Sequence, residues 1–191
     1  MLIIDWDNLV KTPLKKPAAV TCGVFDGIHR GHRALIEKVT GRHEMQSVVV
    51  TFKENPRRVL RPNDFTRDII SLDQKLSLLD GLGVETVVLI DFSLDFSKID
   101  GGDFLMDLIR CAMMQYMAIG GNFKCGRGGA LDAKGIKAFC GALNVEADVI
   151  PPVTEDGEPV SSSRIRAALA RSDTVLVKRL LGYEYGCAGI L

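Results

Sequence analysis

Short apolar runs alternate along the chain with stretches in which apolar side chains recur every three or four residues. Five runs rich in β-branched and other apolar residues predict buried strands, at residues 18–25, 47–52, 86–90, 116–119 and 147–150. Six stretches with helical periodicity predict helices, at residues 31–40, 72–82, 102–113, 133–143, 161–171 and 174–181. Apolar strands separated by helices are typical of a parallel sheet buried on both faces. The pattern therefore predicts an α/β fold with a parallel sheet of about five strands and helices on both faces.

Three segments that follow predicted strands are candidates for a ligand site. They are the turn after Phe25, the glycine-rich stretch after Ile119 and the stretch after Pro152. In open parallel sheets, ligands bind at the carboxyl ends of the strands, where the chain crosses from one side of the sheet to the other. Residues 53–67 are polar and basic, with two prolines and little periodicity. They are predicted to form a loop, either one that covers a substrate or a solvated basic one.

Composition narrows the class of function. The 191 residues suit one domain, or one domain with a short appendage. Lys plus Arg equals Asp plus Glu at 24 each, so the chain lacks a broad positive field and no nucleic-acid partner is expected. The five cysteines show no C-x-x-C spacing and are predicted to be free thiols in a reducing compartment. No signal-peptide pattern opens the chain and its apolar runs are too short to cross a bilayer, so a cytoplasmic location without a membrane partner is expected.

The strongest chemical signal is GVFDGIHRGH, residues 23–32, between a predicted strand and a predicted helix. Its three glycines allow a sharp turn and a close approach of the backbone to a ligand. The free N–H groups and partial positive charge of a helix N-terminus favour an anion there, such as a phosphate. His29 and His32, three residues apart, can reach the same side of a phosphate chain. Both histidines could instead simply pack near the turn, or they could bind a metal, although no third ligand lies near them in sequence.

Residues 161–166, SSSRIR, form a second candidate anion site. Serine hydroxyls and free amides at a helix start can bind an anion, and Arg164 can supply a charge-assisted fork to phosphate oxygens. Arg166 points elsewhere on the helix and could instead pair with an acidic neighbour. An ordinary capped helix with surface arginines is the alternative that composition alone would favour.

Four segments together, and in order, resemble the FMN-adenylylating module of bacterial FAD synthetase, over residues 18–185. They are residues 23–32, residues 48–60 (VVVTFKENPRRVL), residues 119–129 (IGGNFKCGRGG) and residues 151–169 (PPVTEDGEPVSSSRIRAAL). The resemblance implies a Rossmann-like nucleotidyltransferase fold and the reaction of FMN with ATP to give FAD and pyrophosphate. The sequence departs from the family pattern at four positions: Asn55 replaces the usual His before Pro, Lys124 and Cys125 replace Arg and Phe, and Ser163 replaces Thr.

The motifs and the resemblance together assign roles to individual residues. Catalytic roles at the phosphates fall to His29, His32 and Arg164. Contacts to ATP fall to Gly23, Phe25, Asp26, Gly27, Gly31, Ser161, Ser162 and Arg166. Contacts to FMN fall to Asn55, Asn122 and Phe123. A divalent ion, Mg²⁺, is expected to bridge phosphate oxygens of ATP, and the sequence identifies no protein ligand for it.

The adenylylating module is predicted to span residues 1–185. Residues 186–191 resemble the start of the linker to the riboflavin kinase barrel that normally follows in the family, so we expect no riboflavin phosphorylation by this chain. Two alternative functions stay open. One is a nucleotidyltransferase for another phosphorylated acceptor, such as a phosphopantetheine or a polyol phosphate, and the other is a non-catalytic module that binds a nucleotide or a flavin.

Overall fold

A parallel sheet forms the centre of the protein, whose structure is a computed structural model that describes residues 1–65 and 67–186. In chain order the strands are β1 (Leu2–Asp5), β2 (Ala18–Cys22), β3 (Gln46–Phe52), β4 (Thr86–Ile90), β5 (Met114–Gly120), β6 (Lys124–Cys125), β7 (Leu131–Asp132), β8 (Glu146–Ile150), β9 (Thr154–Glu155) and β10 (Glu158–Pro159). Six of them form the sheet, in the order β1-β4-β3-β2-β5-β8, and all their pairings are parallel. The pairs β6–β7 and β9–β10 are short antiparallel ladders.

The helices are α1 (Trp6–Lys11), α2 (Arg30–Thr40), α3 (Arg57–Leu60), α4 (Leu72–Gly81), α5 (Gly101–Cys111), α6 (Ala133–Ala142), α7 (Ser162–Ala170) and α8 (Thr174–Leu181). In six of the eight helices of the described chain, a side chain accepts a hydrogen bond from a free amide of the first turn, and α1 and α3 lack such a cap. Short 3₁₀ turns cover Pro62–Asp64, Phe96–Lys98 and Arg127–Gly129. Ser71 and Gln74 form a reciprocal capping box at α4, and Asp173 caps α8. Helix α8 ends at Gly182, which adopts the left-handed conformation with φ +80°.

The sequence predictions agree with this architecture, with differences that have local causes. The predicted strand 18–25 ends at Cys22, because Phe25 has a positive φ of 51° that no strand accommodates. Strand β1 was not predicted because it is a short edge strand whose first two residues are exposed. Residues 53–67 were predicted to form a loop without elements, but they contain α3 and a 3₁₀ turn.

Two apolar cores confirm the prediction that both faces of the sheet are covered. The pleat of β3 directs Val48 and Val50 into one core and Val49 into the other, as expected for alternating strand positions. The first core contains Trp6, Phe104 and Leu108, and the second contains Phe25 and Ile28 from the turn after β2. Burial on both faces explains why the central strands are apolar at most positions.

Strand β2 lies where the chain changes direction across the sheet. After β2 the chain builds β3 and β4 on one side, and β5 and β8 on the other. Side chains and turns at the carboxyl ends of β2, β3 and β5 therefore meet at a switch point, where open α/β sheets bind ligands. The described part of the chain contains no helix with the length and apolarity needed to cross a membrane. Residues 187–191 of the predicted tail lie outside the described residues, and the predicted domain boundary stays a prediction.

Candidate active site

The turn after β2 is held in a strained backbone conformation. Phe25 and Ile28 have positive φ values of 51° and 37°, and both are fully buried. A positive φ is a genuine outlier for a β-branched residue such as Ile28. Gly27, at φ +87°, approaches Ile69 so closely that an added Cβ would lie 3.3 Å from its Cδ1. Strain of this kind persists only where surrounding contacts impose it, and it concentrates at ligand sites.

His29 and His32 stack at the start of α2. Their ring centroids are 3.6 Å apart with an interplanar angle of 16°. The Nδ1 atom of His29 accepts a hydrogen bond from the backbone N–H of His32 at 3.3 Å, so His29 is the N-cap of the helix. The Nδ1 atom of His32 is buried without a hydrogen-bond partner among the described residues. An unpaired buried polar atom is costly, and this one lies in a side chain that lines a cavity.

Both imidazoles are neutral near pH 7. Burial lowers the pKa of His29 to about 4. Burial, then the neighbouring His29 and the charge of Lys75, hold the pKa of His32 well below its ordinary value. Neutral imidazoles can donate an N–H to a phosphate oxygen but carry no positive charge before an anion arrives. The role predicted for these histidines is therefore to donate hydrogen bonds to a phosphate chain as neutral rings.

Asp26 connects the turn to the rest of the molecule. One carboxylate oxygen accepts a hydrogen bond from the Ile69 backbone N–H at 2.8 Å, and the other forms an ion pair with Arg166. The Asp26 carbonyl oxygen accepts a hydrogen bond from the Ser162 hydroxyl at 3.0 Å. Burial raises the pKa of Asp26, although the Ile69 amide and Arg166 oppose this. Arg166 therefore pairs with an acidic residue, which was the alternative to a contact with ATP that the sequence left open.

Arg164 is engaged by the β9–β10 hairpin. Its guanidinium donates to the carbonyl oxygens of Glu155 at 2.8 Å and Glu158 at 3.1 Å, and it pairs with the Glu158 carboxylate at 3.3 Å. Ser161 is the N-cap of α7, as its hydroxyl accepts from the Arg164 backbone N–H at 3.3 Å. The capped helix that composition favoured is therefore present, and a phosphate would have to take over donors that the hairpin now uses.

An ion-pair network fixes the hairpin next to the histidine helix. The Glu155 carboxylate accepts from Arg30 of α2 at 2.5 Å and from the Arg179 Nε of α8 at 2.6 Å. These two hydrogen bonds lower the pKa of Glu155. Residues 151–160, the start of α2 and α8 are thereby joined, which places the two predicted anion sites on neighbouring elements.

A cavity of about 740 Å³ lies at the carboxyl ends of β2, β3, β4 and β5. It is lined by six of the eight phenylalanines of the chain: Phe25, Phe52, Phe92, Phe96, Phe104 and Phe123. Phe92 packs between Phe52 and Phe96, with ring centroids 5.6 Å and 5.8 Å away. Such walls suit a flat aromatic ligand, because ring faces and edges attract one another at these spacings. The aromatic cluster was missed by sequence reasoning, since its members are scattered over residues 25–123.

The glycine-rich stretch after β5 forms one rim of this cavity. Gly126, at φ +76°, lies so close to the start of α5 that an added Cβ would be 2.4 Å from the backbone N of Gly101. Asn122 is exposed at the rim and Phe123 is half-buried beside it. Burial raises the pKa of the Cys125 thiol, which lines the same cavity, to about 11. The ligand-binding loop predicted here is therefore part of a cavity wall.

A second, polar cavity of about 370 Å³ lies beside the turn. Asn55 lines this cavity and is not among the residues that line the larger one. Its amide nitrogen donates to Asp68 at 3.0 Å, and its side-chain oxygen accepts from the Arg57 backbone N–H at 3.1 Å. The structure thus separates Asn55 from Asn122 and Phe123, with which it was grouped as a flavin contact.

The structure brings the predicted residues together in two groups. The larger cavity is lined by Gly23, Phe25, His32, Asn122 and Phe123. The second group lies in the turn and at the starts of α2 and α7, and comprises Asp26, Gly27, His29, Gly31, Ser161, Ser162, Arg164 and Arg166. Lys75, a buried lysine that contacts the turn, was missed because α4 was interpreted as core packing. The signal was its spacing of four residues from the buried Leu79, which puts a charge on the apolar face.

Within the described residues, no group of three or more His, Cys, Asp or Glu side chains could hold a metal ion. The two histidines alone do not make such a group. The residues described here therefore do not fit a protein-bound metal centre.

Known proteins resemble this chain over almost its full length. A family model described as FAD synthetase matches residues 11–164. Relatives named bifunctional riboflavin kinase/FMN adenylyltransferase come from Escherichia coli (strain K12), 28% identical over 98% of this chain and 61% of the relative, from Bacillus subtilis (strain 168), 29% over 96% and 59%, and from Pseudomonas fluorescens, 30% over 93% and 58%. The chain thus spans about three fifths of the length of these relatives.

Solved structures share the fold. One described as a macrolide-efflux protein from Streptococcus pneumoniae has a TM-score of 0.85 and 25% identity, over 97% of this chain and 63% of that one. Another, a pantoate-beta-alanine ligase from Francisella tularensis complexed with beta-gamma ATP and beta-alanine, has a TM-score of 0.57 and 18% identity, over 87% and 73%. The second likeness concerns the fold alone.

Proposed function

Because the chain belongs to the FAD synthetase family, we propose that it is an FMN adenylyltransferase, which transfers AMP from ATP to FMN and releases pyrophosphate. The observation that carries the proposal is the juxtaposition of an aromatic cavity with a strained anion-binding turn at the switch point of the sheet. The cavity suits the flavin ring, and the turn with its helix N-terminus suits a chain of phosphates.

The flavin would lie among the six phenylalanines. A planar ring system buried between aromatic side chains gains apolar contact, and its polar edge needs a few placed donors and acceptors. Asn122 and Phe123 at the rim are proposed to contact the FMN. Asn55 is proposed to act indirectly, by holding the start of α3 against Asp68 rather than by touching the flavin.

ATP would place its phosphates over the turn and the start of α2. The backbone of Gly23, Phe25, Gly27 and Gly31 allows close approach, and His29 and His32 lie at the helix N-terminus. We propose that His32, whose Nδ1 is unpaired among the described residues, donates a hydrogen bond from the N–H of its other ring nitrogen, Nε2, to a phosphate oxygen. His29 is proposed to be catalytic with it, while it also caps the helix through Nδ1.

The chemistry requires positioning and charge stabilisation rather than a covalent nucleophile. A phosphate oxygen of FMN would attack the α-phosphorus of ATP, the bond to pyrophosphate would break on the opposite side, and the pyrophosphate would leave with the bonding electron pair. Mg²⁺ would enter with ATP, held by phosphate oxygens, and would supply neutralisation of their charge.

Arg164 and its neighbours would act on the far phosphates. Arg164 is proposed to exchange the Glu155 and Glu158 carbonyls for phosphate oxygens, with Ser161 and Ser162 beside it. Arg166 and Asp26 would hold the turn in shape through their ion pair. ATP and FMN are the partners we propose, and a cytoplasmic location without nucleic-acid partners stays a prediction.

Incubation of the purified chain with FMN, ATP and Mg²⁺ tests the function. We expect FAD and pyrophosphate in equal amounts, and no FMN when riboflavin replaces FMN. His32→Ala should lower the adenylyl-transfer rate by about 10²-fold or more with the far-UV circular dichroism unchanged. His43→Ala, at an exposed histidine, is the matched control and should leave the rate unchanged. Pyrophosphate release with a different phosphorylated acceptor, but not with FMN, would contradict the proposed substrate.

A further inference from the structure

A buried lysine lies behind the strained turn, outside the two motifs that the proposed function uses. Lys75 of α4 is 7% exposed. Its ammonium donates to the carbonyl oxygens of Val24 and Phe52, both at 3.1 Å, and to the Thr51 hydroxyl oxygen at 3.4 Å. Three acceptors match the three N–H donors of a charged ammonium. A lysine is almost never buried unless its charge is compensated, so these contacts require an explanation beyond packing.

The three acceptors belong to the two strand ends that border the cavity. Val24 directly precedes Phe25, the first residue with a positive φ, and its carbonyl also accepts from the Thr51 hydroxyl at 3.1 Å. Phe52 is the last residue of β3, and its side chain lines the cavity. One cation therefore ties the exit of β2 to the exit of β3. Without it, the Val24 and Phe52 carbonyls would each lose a buried donor.

We infer that Lys75 is a positioning residue for nucleotide transfer, which holds the turn at residues 23–27 in its strained form so that the turn's backbone can receive the phosphates of ATP. This inference rests on the proposed function. Lys75 does not line the larger cavity and touches no proposed flavin contact other than the Phe52 backbone. A substitution of Lys75 should therefore impair the use of ATP more than the binding of FMN.

The charges around Lys75 also couple it electrostatically to the turn and to the histidines. Asp26 after β2 and Asp68 before α4 counter the fall in the pKa of Lys75 that burial causes. Lys53, Glu54, Arg58 and Arg67 line the polar cavity on the same side. Toward the histidines, the charge of Lys75 is one of the causes that lower the pKa of His32. Removing the charge should therefore raise the pKa of His32, which shows that the ammonium charge reaches the histidines. The positioning role itself is tested by comparing kcat/KM for MgATP with the Kd of FMN, because a lysine that only stabilised the fold would not change the first while sparing the second.

The test compares Lys75→Met, which keeps length without charge, with Lys75→Arg, which keeps charge, and with the exposed Lys137→Met as control. For Lys75→Met we expect kcat/KM for MgATP to fall about 10²-fold, as for a misplaced reacting group, and the Kd of FMN to change less than about threefold. The pKa of His32, measured by NMR titration of the histidine rings, should rise in Lys75→Met and return in Lys75→Arg. Lys137→Met should match the wild type in all three measurements.

Each outcome decides between the two proposals. A wild-type chain that makes no FAD contradicts the proposed function, and the histidine titration then still tests the coupling of the Lys75 charge to His32. If the wild-type chain makes FAD and Lys75→Met leaves kcat/KM for MgATP unchanged, the positioning role of Lys75 is overturned, whatever the His32 titration shows. If Lys75→Met does not fold, Thr51→Val against Thr51→Ser decides, because only the first removes the hydroxyl on the Val24 carbonyl. We then expect a lower kcat/KM for MgATP in Thr51→Val alone, and equal values in both variants would overturn the inference.

Discussion

The two stacked histidines differ in what their surroundings do to them. His29 is 6% exposed and its Nδ1 accepts the capping hydrogen bond of α2, whereas the Nδ1 of His32 has no partner among the described residues. Burial is the main cause that lowers the pKa of both rings. A protonated His29 would lose its ability to accept from the His32 backbone N–H, so protonation and capping exclude each other at that atom. The turn should therefore be sensitive to acid.

The free energy of unfolding should show this at the level of one residue. An unfolded chain protonates an ordinary histidine below pH 6.5, whereas folded His29 does so only near pH 4. The unfolded state then binds more protons, so stability is fully present above pH 6.5 and is lost as the pH falls toward 4. The loss assigned to His29 is on the order of 3 kcal/mol. Urea unfolding at several pH values should show a shallower acid decline in His29→Asn, which keeps a good N-cap.

His43 supplies the control for this measurement, because it is the third histidine and is exposed. His43→Asn should follow the wild-type pH dependence. Equal acid slopes in His29→Asn and the wild type would show that the buried imidazole does not titrate as its environment indicates.

Among the elements, the glycine-rich loop after β5 is positioned by contact between two backbones. Gly126 and the start of α5 approach too closely for any side chain, and Gly128 has a similar positive φ of 66° but open space around it. Both positions therefore disfavour a side chain for conformational reasons, and only Gly126 also faces a steric clash. The two positions also differ in ψ, 176° at Gly126 and 11° at Gly128, so Gly126 lies in a backbone region that is open almost only to glycine.

Alanine at the two positions should give different results. Gly128→Ala should cost about 1 kcal/mol of unfolding free energy, the usual penalty of a left-handed conformation. Gly126→Ala should cost at least about 2 kcal/mol more and should weaken FMN binding, because the loop must move off α5 and reshape the cavity rim. Urea unfolding and flavin fluorescence titration measure the two effects. Similar losses in both variants would mean that the close approach to Gly101 is unimportant.

Elements differ in how well the sequence predicts them, for physical reasons. The central strands carry their own signal, since burial on both faces makes most of their positions apolar, whereas the edge strand β8 is only partly buried. The strand β1 and the two-residue ladders β6–β7 and β9–β10 are too short for periodicity to identify them. Helix α3 escaped prediction because it has four residues and no buried side chain.

For the whole molecule, the motifs predict where the candidate site lies, but the order of the strands determines which side chains meet there. His32 was predicted from the chemistry of the turn and the helix start, and Asn122 and Phe123 were predicted from the resemblance to the family. The six phenylalanines and Lys75 come together only through the order of the strands. The sequence allowed an acidic partner for Arg166 as an alternative, but it could not identify that partner as Asp26, 140 positions away.

Because the cavity borders the apolar core on one face of the sheet, a bound flavin should stabilise the entire fold. A ligand that binds only the native state at 100 times its Kd adds about 2.7 kcal/mol to the free energy of unfolding. For a chain of this size that corresponds to a rise in Tm of about 5–10 °C. Phe92→Ala removes a ring that packs on Phe52 and Phe96 in the cavity wall, so the rise at the same FMN concentration should shrink. Leu94→Ala, at a side chain 61% exposed nearby, should keep it. Thermal unfolding with and without FMN measures these shifts, and an equal rise in wild type and Phe92→Ala would place the flavin outside the aromatic cavity.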